Sequence, residues 1–529
     1  MIAIAGWSHR WMNEDAYINL RVVDQIFAGH GPVFNAGERI EAATSPLWLG
    51  VLVVGRFFFG LFVRDEWIAV VASLLVAVGA FVVAGIATLR VHRNEDGLVL
   101  PVGLLLVASI TAVWDFSTSG LEMGLVWLWL ATSWWVLVTI SRVEDFAGRR
   151  RTASAMVLGL APLIRPELGL MMICFVVAWF VLARPHRVRR DLLAMFALPV
   201  AYQIFRMGFY ASLVPNTALA KDAGGFHTAQ GWNYAYDLID SYKLWLSAVI
   251  VVAALAVRRI GRHDRALAVA TTAMLSAGLL DALYIVAVGG DYMHGRLLLP
   301  AVFAFGLPAS ICVPRRRLTA LVVAVGASAW ALVTVVAFRP PPVRDVFGVS
   351  PVADWREVSG AKVVLDDGAL GLNGHEAAAA YASGVRGYFG IVAKEPVAAA
   401  DPNAFVLTLG SIGVPAYDAG RKVWVIDIGG LAEPLAARTD PVPGRPAGHR
   451  KQVDYAWYDA RFAAPTANDS AEVLAARRAL QCGDLHELLT AVDGDLTPSR
   501  FLSNIWDSFS LTRLHVPADP IEGEQKFCG

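Results

Sequence analysis

Leu318-Thr-Ala-Leu-Val-Val-Ala-Val-Gly-Ala-Ser-Ala-Trp-Ala-Leu-Val-Thr-Val-Val-Ala-Phe338 carries no charge, and it lies between Arg315-Arg-Arg317 and Arg339-Pro-Pro-Pro342. Such a stretch can satisfy its backbone polar groups internally only as a helix, and its length matches the roughly 20 apolar residues that cross a bilayer. Nine blocks of the same kind precede it: Trp67–Leu89, Leu98–Val113, Met123–Ile140, Ala153–Ile164, Leu168–Ala183, Leu192–Phe205, Leu244–Val257, Ala266–Val288 and Leu297–Val313. Of the 529 residues, 56% are hydrophobic and only 17% charged. A soluble chain would be nearer about a quarter charged, and buried soluble helices would show polar faces. The reading is a polytopic α-helical membrane protein, with a transmembrane domain over 1–338.

The connectors between blocks fall into two kinds that alternate. Arg90-Val-His-Arg93, Arg142 to Arg151, Arg184 to Arg190, Arg258 to Arg265 and Arg315-Arg-Arg317 are arginine-rich. Asp115 to Glu122, Arg165-Pro-Glu167, Arg206 to Tyr242 and Gly289 to Arg296 mix acids, small polar residues and aromatics. Positive charge marks the cytoplasmic side, so the second set faces outward. Ser45–Phe62 is apolar too, but another crossing there would break the alternation, and Arg56 in its middle is expensive in a lipid-facing helix. It reads as an interfacial or re-entrant segment.

After Phe338 the apolar blocks stop, and Arg339-Pro-Pro-Pro342 reads as a linker. Short β-like runs follow at Lys362–Leu365, Phe405–Leu409 and Lys422–Ile428, with helical stretches such as Asp469–Leu480. Residues 339–529 therefore read as a soluble α/β or α+β domain on the outer face. Asp427-Ile-Gly-Gly is either a ligand loop or a structural turn. Cys174 and Cys312 fall in apolar segments as packing residues, whereas Cys482 and Cys528 fall in the outer domain. There a disulfide is allowed and expected, the alternative being two buried thiols.

The polar segment Trp11-Met-Asn-Glu14-Asp15-Ala-Tyr17-Ile-Asn-Leu-Arg21 opens a helix-like run with two adjacent carboxylates. Neighbours on a helix point about 100° apart, so Glu14 and Asp15 cannot face one point. One can face a cavity as a general base for a sugar hydroxyl while the other caps the helix or pairs with a base. His30 to Trp48, which includes Glu41, is dense in turn formers and aromatics, as loops lining a site are. Glu122 and Glu167 stand at helix starts, where the dipole alone could hold them. Pro215-Asn216-Thr217-Ala-Leu-Ala-Lys221-Asp222 and Gly289-Gly-Asp291-Tyr-Met-His294-Gly-Arg296 add Lys221, His294 and Arg296, which can bind phosphate. A phosphate-binding glycine loop, a dinucleotide fingerprint, zinc spacing and GxSxG are all missing from the sequence. Zero net charge gives no case for nucleic acid.

Taken together, these segments resemble the GT-C family of polyprenyl-phosphate-dependent arabinofuranosyltransferases, above all its terminal β-(1→2)-transferring branch of the AftB type. Asn13-Glu-Asp-Ala-Tyr-Ile-Asn-Leu-Arg21, Gly29-His-Gly-Pro-Val-Phe-Asn35, Gly37-Glu-Arg-Ile-Glu-Ala-Ala-Thr-Ser45, Thr118-Ser-Gly-Leu-Glu122 and Arg165-Pro-Glu167 carry the likeness, with the two basic loops just quoted. Val425 to Arg438, Gln481-Cys482 and Arg500-Phe-Leu-Ser-Asn504 extend it through the outer domain. The resemblance implies a decaprenyl-phosphoryl-arabinose donor, an arabinan acceptor in the cell wall (arabinogalactan or lipoarabinomannan), and a plasma-membrane enzyme working at the extracytoplasmic face. It also implies a catalytic acid in the first outer loop. The family's Asp-Asp pair falls on Glu14-Asp15, which favours Asp15 as the catalytic group, with Glu14 as the other candidate. Lys221, His294, Arg296, Arg165 and Asp291 are expected at the donor, and Glu41, Glu122, Asn216 and Asp222 along the site. No cofactor is implied, although a divalent cation is compatible. The family has a transmembrane helix ahead of the first loop, where Met1–Gly6 stands here. The competing readings are a GT-C transferase for another polyprenyl-phosphate sugar, a lipid-linked-sugar transporter, and an arabinan-binding scaffold. Transporters tend to show internal repeats, and the sequence shows none.

Overall fold

The computed structural model describes residues 1–142, 148–183, 188–221, 225–259, 264–313, 318–344, 352–353, 405–442 and 450–529. The chain forms two compact units. One comprises Met1–Met12, Ser45–Val200 and Phe226–Lys362; the other comprises Asn13–Thr44, Ala201–Gly225 and Val363–Gly529.

Among the described residues five helices are long and apolar enough to cross a membrane: Asp65–Val91, Met123–Ile140, Val188–Tyr210, Arg265–Val288 and Leu318–Val336. Thr228–Tyr242 and Leu244–Arg258 make a sixth if the pair, bent by 75°, is one span. The bend falls at Lys243, which takes up a left-handed conformation at φ 50°. The protein is thus a multi-pass membrane protein with a large extramembrane domain.

Helix Asp65–Val91 shows how composition sets packing in lipid. Its buried side is made of small residues, Ala69, Ser73, Ala77, Ala80, Ala84 and Ala87, while Leu75, Val82 and Leu89 point outward. Apolar side chains gain nothing by leaving lipid, so membrane helices associate through small residues that let backbones approach. Helix Met123–Ile140 packs on this face, and a Cβ on its Gly124 would lie 2.7 Å from the carbonyl of Ser73.

Three expected spans are not single helices. Leu98–Val113 becomes a strand, Leu98–Leu100, and two short helices, Val102–Ala108 and Thr111–Phe116. Leu297–Val313 becomes helix Leu299–Gly306 and strand Ile311–Val313, which pairs antiparallel with Leu98–Leu100. Pro101 and Pro308 explain the breaks, since a ring nitrogen offers no N–H to continue a helix. Ala153–Ile164 is likewise divided between Gly148–Gly159 and Ala161–Ile164. The apolar segment at Ser45–Phe62 forms helix Pro46–Phe59, capped by the Ser45 hydroxyl, with Arg56 paired to Asp65 at 2.8 Å. Fourteen residues extend about 21 Å, short of a bilayer core of about 30 Å.

In the second unit, Phe405–Leu409 and Val423–Asp427 pair in parallel, from Phe405 opposite Val423 to Leu409 opposite Asp427. Helices Tyr455–Phe462, Ala471–Ala479, Gly483–Asp493, Pro498–Leu511 and Pro520–Cys528 follow. Their core is built on Trp457, Leu485, Leu488, Ala476 and Ala479, with Leu435 and Ile426 from the sheet side. Asp454, Ser470, Thr497 and Asp519 cap four of these helices by accepting backbone N–H bonds. A disulfide joins Cys482 to Cys528, while Cys174 and Cys312 form none. The expected run Lys362–Leu365 lies outside the described residues.

Candidate active site

The first outer loop belongs to the second unit and is built into it by polar side chains. Helix Glu14–Phe27 starts at Asn13, whose side chain accepts the Asp15 N–H at 2.8 Å. Glu14 and Asp15 then diverge, as their helical spacing requires. The Glu14 carboxylate accepts from the Ser411 hydroxyl and from the Gly413 N–H, at the start of helix Val414–Asp418. Asp15 is half-buried and shares none of those contacts. Loss of solvent and the neighbouring Asp15 charge push the Glu14 carboxyl up to about 7, against its bonds to Ser411 and Gly413. A side chain at Gly413 has no room: its Cβ would stand 2.0 Å from the Glu14 carbonyl oxygen.

Two helical turns onward, Arg21 is buried and donates to carbonyls of both segments: Phe34 at 2.9 Å, Ala416, Gly420 at 3.0 Å and Val423 at 2.6 Å. Burial without a carboxylate partner in hydrogen-bond reach lowers this guanidinium to about 10. Asn35 imitates a peptide group, giving its amide to the Val425 carbonyl at 2.9 Å and accepting the Val425 N–H at 3.0 Å. The free edge of strand Val423–Asp427 is thereby paired. Arg39 donates to the Ala491 and Gly494 carbonyls at the C-terminal end of helix Gly483–Asp493, where a cation is favoured.

Glu41 forms a two-pronged pair with Arg206, at 2.5 and 3.0 Å, and accepts the Tyr202 hydroxyl at 2.7 Å. Asn216 donates to the carbonyls of Gly430, Leu431 and Glu433 and accepts from Arg438. Both side chains are thus committed within the unit. Lys221 differs: it is half-buried and has no hydrogen-bond or ion-pair partner among the described residues. Asp222 lies outside the described residues.

The expected residues of the first unit gather in ion-paired groups. Arg165 donates to both Glu122 and Glu167, and Arg296 lies 3.5 Å from Asp291 and 3.9 Å from Glu122. Two arginines therefore share three carboxylates. His294 meets Asp237 through Nδ1 and the Tyr242 hydroxyl, at 3.2 Å, through Nε2. The same hydroxyl accepts the Ala112 N–H and meets Thr111 Oγ1 at 2.8 Å, so His294 ties three segments together. Among the described residues no three His, Cys, Asp or Glu side chains converge to hold a metal ion.

Several residues escaped sequence reading. Arg461 stands between Glu38 at 2.7 Å, Asp493 at 2.7 Å and Glu433 at 3.1 Å. Burial raises Glu38 to about 8 and Glu433 to about 7, despite Arg461 pulling both down. Asp427, raised to about 6 by burial, spends its carboxylate on the N–H groups of Gly429 and Ala432, so its turn is structural. Asp281 is buried inside a membrane helix and its Oδ2 has no partner among the described residues. Its signal was visible: a single acid in an otherwise apolar span marks a constrained position.

Membrane helices and an extramembrane domain into which Glu14 is anchored define a multi-pass membrane protein with a large extramembrane domain. The AftB family C-terminal domain matches residues 391–524. The terminal beta-(1->2)-arabinofuranosyltransferase of Corynebacterium glutamicum is 31% identical, over 95% of this chain and 82% of its own. Its namesake from Mycobacterium tuberculosis is 32% identical, over 97% of this chain and 94% of its own. The chain belongs to this AftB family of arabinofuranosyltransferases. No solved structure matches it.

Proposed function

We propose that the protein moves arabinofuranose from decaprenyl-phosphoryl-arabinose to the ends of cell-wall arabinan, forming β-(1→2) linkages at the extracytoplasmic face. The observation that carries this reading is likeness along 95–97% of the chain to two transferases of that name. In the reaction the bond between the sugar's C1 and the phosphate oxygen breaks and a bond from C1 to the acceptor hydroxyl oxygen forms. The hydroxyl proton passes to a carboxylate, and the polyprenyl phosphate leaves as the anion. Asp15 is the carboxylate assigned to this step, because the Glu14 contacts to Ser411 and Gly413 make Glu14 an anchor. Lys221, in the same unit and without a side-chain partner among the described residues, is assigned the donor phosphate. Arg165, Asp291 and Arg296, in one ion-paired group, and His294, paired with Asp237, are assigned a supporting role toward the donor.

A β-linked donor giving a β-linked product is net retention, which one in-line displacement does not deliver. Asp15 serves both routes that do. It can attack C1 itself in a double displacement, or it can take the acceptor proton while a short-lived oxocarbenium ion is captured on the leaving-group face. The deciding assay is purified protein with labelled polyprenyl-phosphoryl-arabinose and an oligoarabinoside acceptor. Transfer of label to a non-reducing end in a β-(1→2) linkage is the expected result. Transfer from another polyprenyl-phosphate sugar in preference to this donor would refute the reading.

A further inference from the structure

A cavity of about 880 Å³ opens where arginine-rich connectors meet the ends of helices Asp65–Val91, Met123–Ile140 and Arg265–Val288. Arg90, Arg93, Arg142, Arg258 and Arg265 line it, and Asp264 is the single acid there among the described residues. Three of the five are fixed by the protein. Arg90 donates to Thr139, Arg142 pairs with Asp264 at 2.8 Å, and Arg258 donates to the Pro308 carbonyl at 2.6 Å and Thr271 at 2.8 Å. Arg93 and Arg265 are exposed and have no partner among the described residues. The remaining wall is mixed: Val91, Leu255, Leu267, Ala268 and Leu275 are apolar, and Asn94, Thr271 and Thr272 are polar, with the Thr271 hydroxyl accepting from Arg258. From Asp264 to Leu275 the wall runs eleven residues, about 16 Å down the helix axis at about 1.5 Å per residue.

Topology alone accounts for arginines on this side, since cytoplasmic connectors collect them. It does not account for their convergence on one concave site with a partly apolar shaft beneath it. A guanidinium rim recognises phosphate oxygens through paired N–H donors, and a soluble anion would leave the shaft unfilled. Basic pockets between helices on the cytoplasmic side take lipid headgroups, with the acyl chain lying along the helices.

We propose that this cavity is a binding site for an anionic phospholipid of the cytoplasmic leaflet. The phosphate sits among Arg93, Arg265 and the fixed Arg142 and Arg258, and one acyl chain runs along Leu255, Leu267 and Leu275. The site is independent of the transfer reaction, which is assigned to the opposite face.

The test is native mass spectrometry of the full-length protein in neutral detergent, titrated in turn with phosphatidylglycerol, phosphatidylcholine and inorganic pyrophosphate. The wild type is expected to retain one phosphatidylglycerol and no phosphatidylcholine. R93Q/R265Q removes two exposed cations without breaking an internal bond, and it should weaken that retention at least about tenfold, the loss of charge-assisted contacts. R189Q/R190Q, which removes two exposed arginines that do not line the cavity, should retain the lipid like the wild type. Equal retention of both lipids overturns the proposal, as does equal loss in the two double variants. Binding of pyrophosphate that displaces no lipid, with lipid absent from the wild type, assigns the rim to a soluble phosphate and overturns the lipid. An unchanged melting temperature for R93Q/R265Q separates lost binding from lost folding.

Discussion

Substituting each of the two adjacent acids separates an anchor from a catalyst. Glu14 gives its carboxylate to the Ser411 hydroxyl and the Gly413 N–H. Glu14→Gln keeps an acceptor oxygen for both donors and removes only the charge. Glu14→Ala strands both donors, at about 1–3 kcal/mol for each left unsatisfied. Together they amount to about 2–6 kcal/mol, a large part of a typical domain's stability of about 5–15 kcal/mol. The expected order for Glu14 is therefore near-normal transfer and folding in the glutamine variant, with reduced melting temperature and yield in the alanine variant. Asp15→Asn should instead leave melting intact and lower turnover by about 10²–10⁴-fold, as loss of a general base does. The pH dependence gives an independent check. The Glu14 carboxyl titrates at about 7 in the folded protein against its usual 4.5. A group raised in this way contributes its full stability below about 4.5 and loses that contribution as pH rises through 7. The wild type should thus lose stability between those limits, and Glu14→Gln should flatten that segment of the curve. Dye-monitored melting in detergent reads stability, and labelled-arabinose transfer reads turnover. A hundredfold loss of turnover in Glu14→Gln at unchanged melting temperature would refute the assignment, because a carboxyl titrating near 7 is also suited to be a base.

Three further outcomes are expected. Lys221→Met should raise the KM for the lipid-linked donor with little change in kcat, by the roughly 10- to 150-fold that matches about 1.5–3 kcal/mol for a charge-assisted bond; steady-state kinetics at saturating acceptor measures it. Arg461→Met removes the cation shared by Glu38, Glu433 and Asp493 and should cost most, about 3–5 kcal/mol, on the alkaline side where those acids are ionised. Because Glu38 and Glu433 take up protons on acidification, that deficit should shrink from pH 8 to pH 5, as melting curves at the two values would show. Reducing the Cys482–Cys528 bridge opens a loop spanning 46 residues, worth about 4 kcal/mol by chain entropy, so protease resistance of the region after residue 450 should fall with reductant.

Composition and charge alternation were enough to read the membrane class, because lipid leaves a chain few options. They could not separate Leu98–Val113 from a true span, since a broken helix pair and a strand satisfy the same hydropathy sum. The β-runs Phe405–Leu409 and Lys422–Ile428 were visible by their bounding turns, but the parallel pairing of the strands they form was not. At the site, helical spacing already required Glu14 and Asp15 to diverge. Which one stays accessible depended on Ser411, almost 400 positions away. The same distance hides the roles of Arg21 and Asn35, whose partners are backbone carbonyls with no signature of residue type. Glu41 and Asn216 looked like lining groups for that reason: a polar side chain committed to a remote partner and one awaiting substrate are alike in sequence.

The Asn35 bonds to Val425 carry a further meaning for how such a protein comes into being. The two residues are 390 apart in sequence, and a ribosome adding about 5–20 residues per second needs about 20–80 seconds to go from one to the other. Through that interval the segment that holds Asp15 is already made but lacks its partners between Ser411 and Val425. Its buried arginine and asparagine must be satisfied by water or by a chaperone. The Asn13–Thr44 segment therefore reaches its final packing only after the strand Val423–Asp427 has followed it across the membrane. A product that stops short of Val423 lacks the backbone groups that Arg21 and Asn35 bind.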